Sequence, residues 1–497
     1  MTRDDVLAFL RRRALKMCLW IAGVPVALAA LMTIYFCIGG IEWGDWTIPD
    51  EAELRFELRN VPDEENSYLA LRALTNLYRV AERDWDSDCD ADEIFDKDFV
   101  RCYMSPFFVD GDAEDLARWT AIRCDPSSPE RAARILSDNT EFLNGFHAAL
   151  KREWFVNVDA REAEAERIKK GNPPSLVAMP LYKEIIGFAQ LSAMRARVSL
   201  ERGDVEAALS DITALHVLGQ KILANSESLV EYLVGVLIED FCLRKMCDAV
   251  AMGKVDDEII KRFETMLGVS EGNAPLAWEH GLKSEIAKHF EGVEWFCDHP
   301  ELAFEFGFLC KAAEFDRDGR PVQPLLGRIM AHWPGFVKFA MHRRKMLYHQ
   351  AILDRAMLAG DDTLVEMILH EMSCNFLLPN GFGNWLQISL CPIFSPYMSK
   401  GNMARLRPRL VLAAEKWRRA HGGGNPPSLE ALVPEYLAAV PADPWDKSGG
   451  ALKYDASLGV VWTIGKNGDY EYKDGLDDEK TACYAFRIDA QPMKPQQ

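Results

Sequence analysis

The sequence has no Cys-x-x-Cys pair, which removes the usual zinc ribbon and the thioredoxin-type redox site. It has no Gly-x-Ser-x-Gly elbow and no glycine-rich phosphate loop of either standard type, so a lipase-type nucleophile and a mononucleotide cradle have no support. The zincin pair of histidines is also missing. In His370-Glu371-Met372-Ser373-Cys374 a cysteine stands where the second histidine would be, and an amphipathic helix explains the same residues. Positive charge is scarce: the formal net charge is -19, so the basic face that a nucleic-acid backbone needs is not supplied. Charge of either sign is absent from 17–41.

That uncharged run exceeds the ~20 residues with which a helix crosses a bilayer. Arg11, Arg12, Arg13 and Lys16 precede it; Glu42, Asp45, Asp50, Glu51 and Glu53 follow it. Basic residues mark the cytoplasmic flank, so the sequence predicts a single-pass protein of a bacterial inner membrane with a cytoplasmic N-terminus and an exported body. A cleaved signal peptide would have a shorter apolar core and small residues at the cut, whereas this run ends in Tyr35-Phe36-Cys37.

A hydrophobic fraction of 48% gives the exported part enough apolar surface to offset its ordering entropy, so a packed body is expected. The fold class read from the pattern is mainly α: an N-terminal transmembrane helix, a body of antiparallel helical hairpins and a small α+β module at the C-terminus. The corresponding division is 1–16 cytoplasmic tail, 17–41 span, 60–378 body, 379–401 linker, 402–489 module and 490–497 tail. Within the body, helices are predicted from Pro62-Asp63, with Asp63 as cap, over about 128–154, 178–201, 205–224, 229–252, 255–267, 275–291, 338–359 and 361–377. Ala196, Leu200, Gly203-Asp204, Ala207-Ala208 and Leu209 give either one tetratricopeptide-like hairpin or an ordinary antiparallel pair.

Catalytic candidates are thin. Glu285 and His289 share a helix face, as surface pairs commonly do; His332, His342 and His349 lie among Arg343, Arg344 and Lys345 and read as a basic face. Acidic pairs such as Glu291 with Glu294 carry little information among 76 acids. Cys89 with Cys102, Cys297 with Cys310 and Cys374 with Cys391 could close loops in an oxidising compartment or remain thiols. Cys242 and Cys247 diverge on one helix and should not pair with each other. No catalytic and no cofactor-binding residue is assigned.

The most distinctive stretch is C-terminal. A helix over about 402–420 ends at Gly422-Gly423-Gly424; a short helix is expected over Leu429–Leu437; strands are expected at Leu452–Tyr454, Val460–Ile464 and Ala482–Ile488. The series His421-Gly422, Pro427, Leu429-Glu430-Ala431-Leu432-Val433-Pro434-Glu435-Tyr436-Leu437, Val440-Pro441 and Asp443-Pro444-Trp445, continued by Tyr454, Ile464-Gly465-Lys466-Asn467-Gly468 and Asp477-Asp478, resembles the C-terminal domain of the major (G-type) pseudopilin of type II secretion. The whole chain resembles uncharacterised single-pass bacterial envelope proteins with a helical body and this tail. The resemblance implies a helix packed on a small antiparallel sheet and a calcium-stabilised loop, in a secretion-related setting. It does not imply a pilus subunit, because 17–41 has no glutamate. Asn467, Asp469, Asp474, Asp477 and Asp478 are the candidate ligands of a structural calcium ion; a plain solvated acidic turn is the other reading of the same residues. The function expected from the sequence is an envelope binding or scaffolding protein with protein partners, the alternative being an envelope hydrolase with an unmotifed active site in the helical body.

Overall fold

The computed structural model describes residues 60–78, 129–170, 182–298, 395–443, 446, 448–464 and 485–489, with Leu31 and Met346 besides. The chain divides into two compact units, one made of Met1–Leu54 with Ile286–Pro392, the other of Arg55–Glu285 with Ile393–Gln497. The second unit holds nearly all described residues. It joins the first part of the expected body to the C-terminal module, so the units do not follow the linear order read from the sequence. Among the described residues no helix is long and apolar enough to cross a membrane; the span expected at 17–41 lies outside them, Leu31 apart.

The expected fold class holds in its coarse form: helices dominate, beside one small antiparallel sheet. The first helix, α1 (Ser67–Ala73), starts later than expected, and its cap is Asn66, not Asp63. The Asn66 Oδ1 accepts from Tyr68 N at 3.1 Å and from Val156 N at 3.0 Å, while its Nδ2 donates to Val156 O at 2.9 Å. One buried amide thereby starts a helix and pins it to a strand-like segment ninety residues away. The helix expected over 128–154 is two, α2 (Pro129–Asp138) and α3 (Thr140–Ala149). Between them the buried Asn139 turns its side chain back onto Ile135 O at 2.8 Å, competing with the helical backbone bonds. A polar helix, α4 (Val158–Lys170), follows.

Three long helices form the middle of the unit: α5 (Tyr182–Arg202), α6 (Val205–Asn225) and α7 (Leu229–Ala251). Gly203 makes the first reversal at φ +80°, a region open to glycine, and Asp204 caps α6 through Ala207 N at 3.2 Å. Ser228 caps α7 through Glu231 N at 3.1 Å. Gly219 lets α6 and α7 touch closely, since a Cβ there would stand 3.2 Å from Glu239 N. The helices expected at 255–267 and 275–291 are one, α8 (Asp257–Asp298), which continues through Pro275.

The C-terminal helix, α9 (Ser395–Ala420), begins within the expected linker and ends, as expected, where Gly422, Gly423 and Gly424 all take positive φ. Its two faces enter different cores. Val411 and Leu412 pack among the α5–α8 side chains; Leu410, Ala413 and Ala414 pack with Leu432, Val461, Phe486 and Ile488. The sheet is β1 (Lys453–Asp455), β2 (Val460–Trp462) and β3 (Ala485–Arg487), antiparallel in that order, with Tyr454 opposite Val461 and Val461 opposite Phe486. Leu429–Leu437 forms only a 3-10 turn at Glu430–Leu432. The buried Asp443 closes the module by accepting from Ile464 N at 2.7 Å.

Candidate functional site

A charged cluster lies where α3, α5 and α6 meet. Asp211 of α6 sits in the core face beside Ala208, Ile212 and Leu215, and its side chain is 1% exposed. A carboxylate so buried requires partners. Arg195 of α5 supplies two bonds, Nε to Oδ2 at 2.7 Å and Nη2 to Oδ1 at 2.6 Å; Ser192 Oγ adds a third at 3.0 Å. His147, near the end of α3, places Nε2 2.8 Å from Oδ1. Burial pushes the Asp211 carboxyl up, but His147 and Arg195 together more than offset it and hold it below the ordinary carboxylate range.

Above this cluster a groove of about 360 Å³ runs along α6. Glu206, Ser210, Thr213, Ala214 and Val217 form its floor, one face of the helix by their spacing. His147, Leu150 and Lys151 form one wall and Arg262 of α8 the other. Along the floor, Glu206, Ser210 and Thr213 give way to Ala214 and Val217. Arg262 meets Glu206 only at 3.9 Å, and the Glu206 side chain is 85% exposed. Lys151 makes no ion pair among the described residues.

Ser210, His147 and Asp211 stand in the order of a nucleophile, base and orienting acid, with Ser210 Oγ 3.5 Å from His147 Nδ1. A fourth member, Arg195, also reaches the imidazole. Its Nη2 is 2.7 Å from His147 Nε2. His147 Nε2 faces a donor, Arg195 Nη2, and an acceptor, Asp211 Oδ1 at 2.8 Å, and these two contacts favour opposite tautomers. Arg195 is committed to Asp211, Nη2 donating to Oδ1 and Nε–H to Oδ2. Ser210 Oγ stands beyond the roughly 2.6–3.2 Å reach expected of a nucleophile and its base.

A second buried cluster joins α9 to the helices. Arg405 Nη2 donates to Glu239 Oε2 of α7 at 2.6 Å, both side chains being nearly fully buried. Gln220 bridges Glu239 and Ser270 at 3.0 and 3.2 Å. Nearby, burial holds the His216 imidazole below its usual range despite the Glu239 charge. At the α4–α7 end, Tyr182 donates to Glu231 and accepts from Asn157 at 2.8 Å. These groups are enclosed and satisfied mainly by one another, so they are read as tertiary fastenings.

The candidate residues singled out in the sequence are not brought together. Asn467, Asp469, Asp474, Asp477 and Asp478 lie outside the described residues, as do His332, His342, His349, His370, Glu371 and Cys374. Glu285, His289, Glu291 and Glu294 lie on α8, their side chains outside what is described. Among the described residues no three His, Cys, Asp or Glu side chains are gathered as a metal ion would need. Cys242 and Cys247 are buried free thiols and, as expected, are not paired with each other; burial raises both, Cys247 to about 11. His147, Arg195 and Asp211 escaped notice because they are far apart in the chain. One signal pointed to them: a charged residue at 211 on an otherwise apolar helix face. No protein family, curated protein or solved structure matches the chain.

Proposed function

We propose that this is a membrane-anchored binding or scaffolding protein of the bacterial envelope, held by 17–41 with its N-terminus in the cytoplasm and its helical body exported. The charge asymmetry around 17–41 supports the topology. The motif series from His421 to Asp478 supports a pseudopilin-like tail, with structural calcium at Asn467, Asp469, Asp474, Asp477 and Asp478 as part of that reading. One observation carries binding over hydrolysis: the α6 groove combines the cations Lys151 and Arg262 with the apolar Leu150, Ala214 and Val217. The hydrolase reading rests on the 3.5 Å approach of Ser210 to His147.

A photo-crosslinking residue in place of Val217, in the full chain in native membranes, tests the proposal. A discrete adduct that disappears in a Lys151→Glu/Arg262→Glu background is expected. Labelling of wild type, but not of Ser210→Ala, by a fluorophosphonate would establish the hydrolase instead.

A further inference from the structure

We infer that the groove along α6 takes a short peptide segment that combines acidic and apolar side chains; this deepens the binding reading and rests on it. Two cations, Arg262 and Lys151, line the groove. Among the described residues Arg262 has only a 3.9 Å contact with an exposed carboxylate, and Lys151 makes no ion pair. These groups suit a ligand carboxylate, the Arg262 fork by two parallel bonds. In a chain of net charge -19 a concave site with two loosely held cations is a local reversal of sign, and it selects acidic partners.

The apolar end of the floor excludes a bare anion as the whole ligand. Leu150, Ala214 and Val217 line it, and an ion leaves that surface in water. From Glu206 to Val217 the helix rises about 16 Å, which matches about five residues of extended peptide. Glu206 shows what a carboxylate does here: it leans toward Arg262 from the rim and must be displaced by the ligand. It is a built-in competitor.

The test uses the full chain in detergent micelles and a fluorescein-labelled hexapeptide of alternating glutamate and leucine, read by fluorescence anisotropy. Arg262→Gln and Lys151→Gln should each weaken binding about tenfold. Glu206→Gln should tighten it about threefold by removing the competitor. A peptide with glutamine for glutamate should bind weakly, and inorganic phosphate should not displace the acidic peptide. Thermal melting of each variant checks that the fold is kept. Equal binding of the glutamine peptide, indifference to both cation variants, or displacement by phosphate would overturn the assignment. Fluorophosphonate labelling of Ser210 in the same samples separates the two failures. Labelling removes the binding reading itself; an unlabelled protein that ignores the peptide removes only the peptide assignment.

Discussion

Asp211 occupies a position that helix periodicity reserves for an apolar side chain, and its partners make it tolerable there. Removing the charge leaves Arg195 uncompensated beneath the groove. Asp211→Asn should cost roughly 2–4 kcal/mol, less than the full penalty for a broken buried pair because Arg195 keeps some contact with water. The pH dependence follows from the depressed carboxyl. A group whose folded pKa lies below its unfolded value contributes fully above about pH 4 and loses the contribution as pH falls through the folded value. The melting temperature of wild type should therefore fall on acidification below about pH 4 more steeply than that of Asp211→Asn. Parallel curves would mean that the carboxylate is not the stabilising partner. Arg405 poses the same question without solvent access. Arg405→Met should destabilise by about 3–5 kcal/mol, and adding Glu239→Leu should recover much of that loss, because the lone buried carboxylate is the expensive species.

Among the helices, the pair α8 and α9 is tied by charges whose order could be read from the sequence. Asp257, Glu264 and Glu271 recur every seventh residue on α8; Arg419, Lys416 and Arg409 answer them in reverse order on α9, so the two run antiparallel. These pairs are largely exposed, and each contributes about 0.2–1 kcal/mol at most. Replacing all three cations with glutamine should lower stability by about 1–2 kcal/mol at low salt, and the difference should shrink in molar salt. The hairpin α5–α6 was legible because Gly203-Asp204 states both the turn and the cap. The α2–α3 break was not, because Asn139 differs from any polar residue in a helix only by being buried. The single long α8 was hidden by Gly268, Gly272 and Pro275, breakers in isolation that tertiary packing overrides. The site was less legible than the fold: each of its charged residues is unremarkable in its own helix, and only the packing of α3, α5 and α6 joins them.

For the whole molecule, the two-faced α9 changes what can be tested in isolation. A fragment covering 400–497 would expose Val411 and Leu412 to water and lose the Arg405 pairing, so calcium binding by the acidic loop should be sought in the full chain. If Asp477 and Asp478 hold calcium, millimolar calcium should raise the melting temperature of wild type and not that of Asp477→Asn/Asp478→Asn. Topology is settled separately: a phosphatase that works only outside the cytoplasm, fused after residue 60, should be active. The same helix also sets an order of events. A chain is made from its N-terminus, so 55–285 exist before the residues of α9, and during that interval the slot for Val411 and Leu412 stays open. Cα-chain completion, not the emergence of each helix, is then the moment at which this half of the protein becomes resistant to proteases. Products of premature termination before Ser395 should be cleared rapidly, because the core that α9 covers is left open in them.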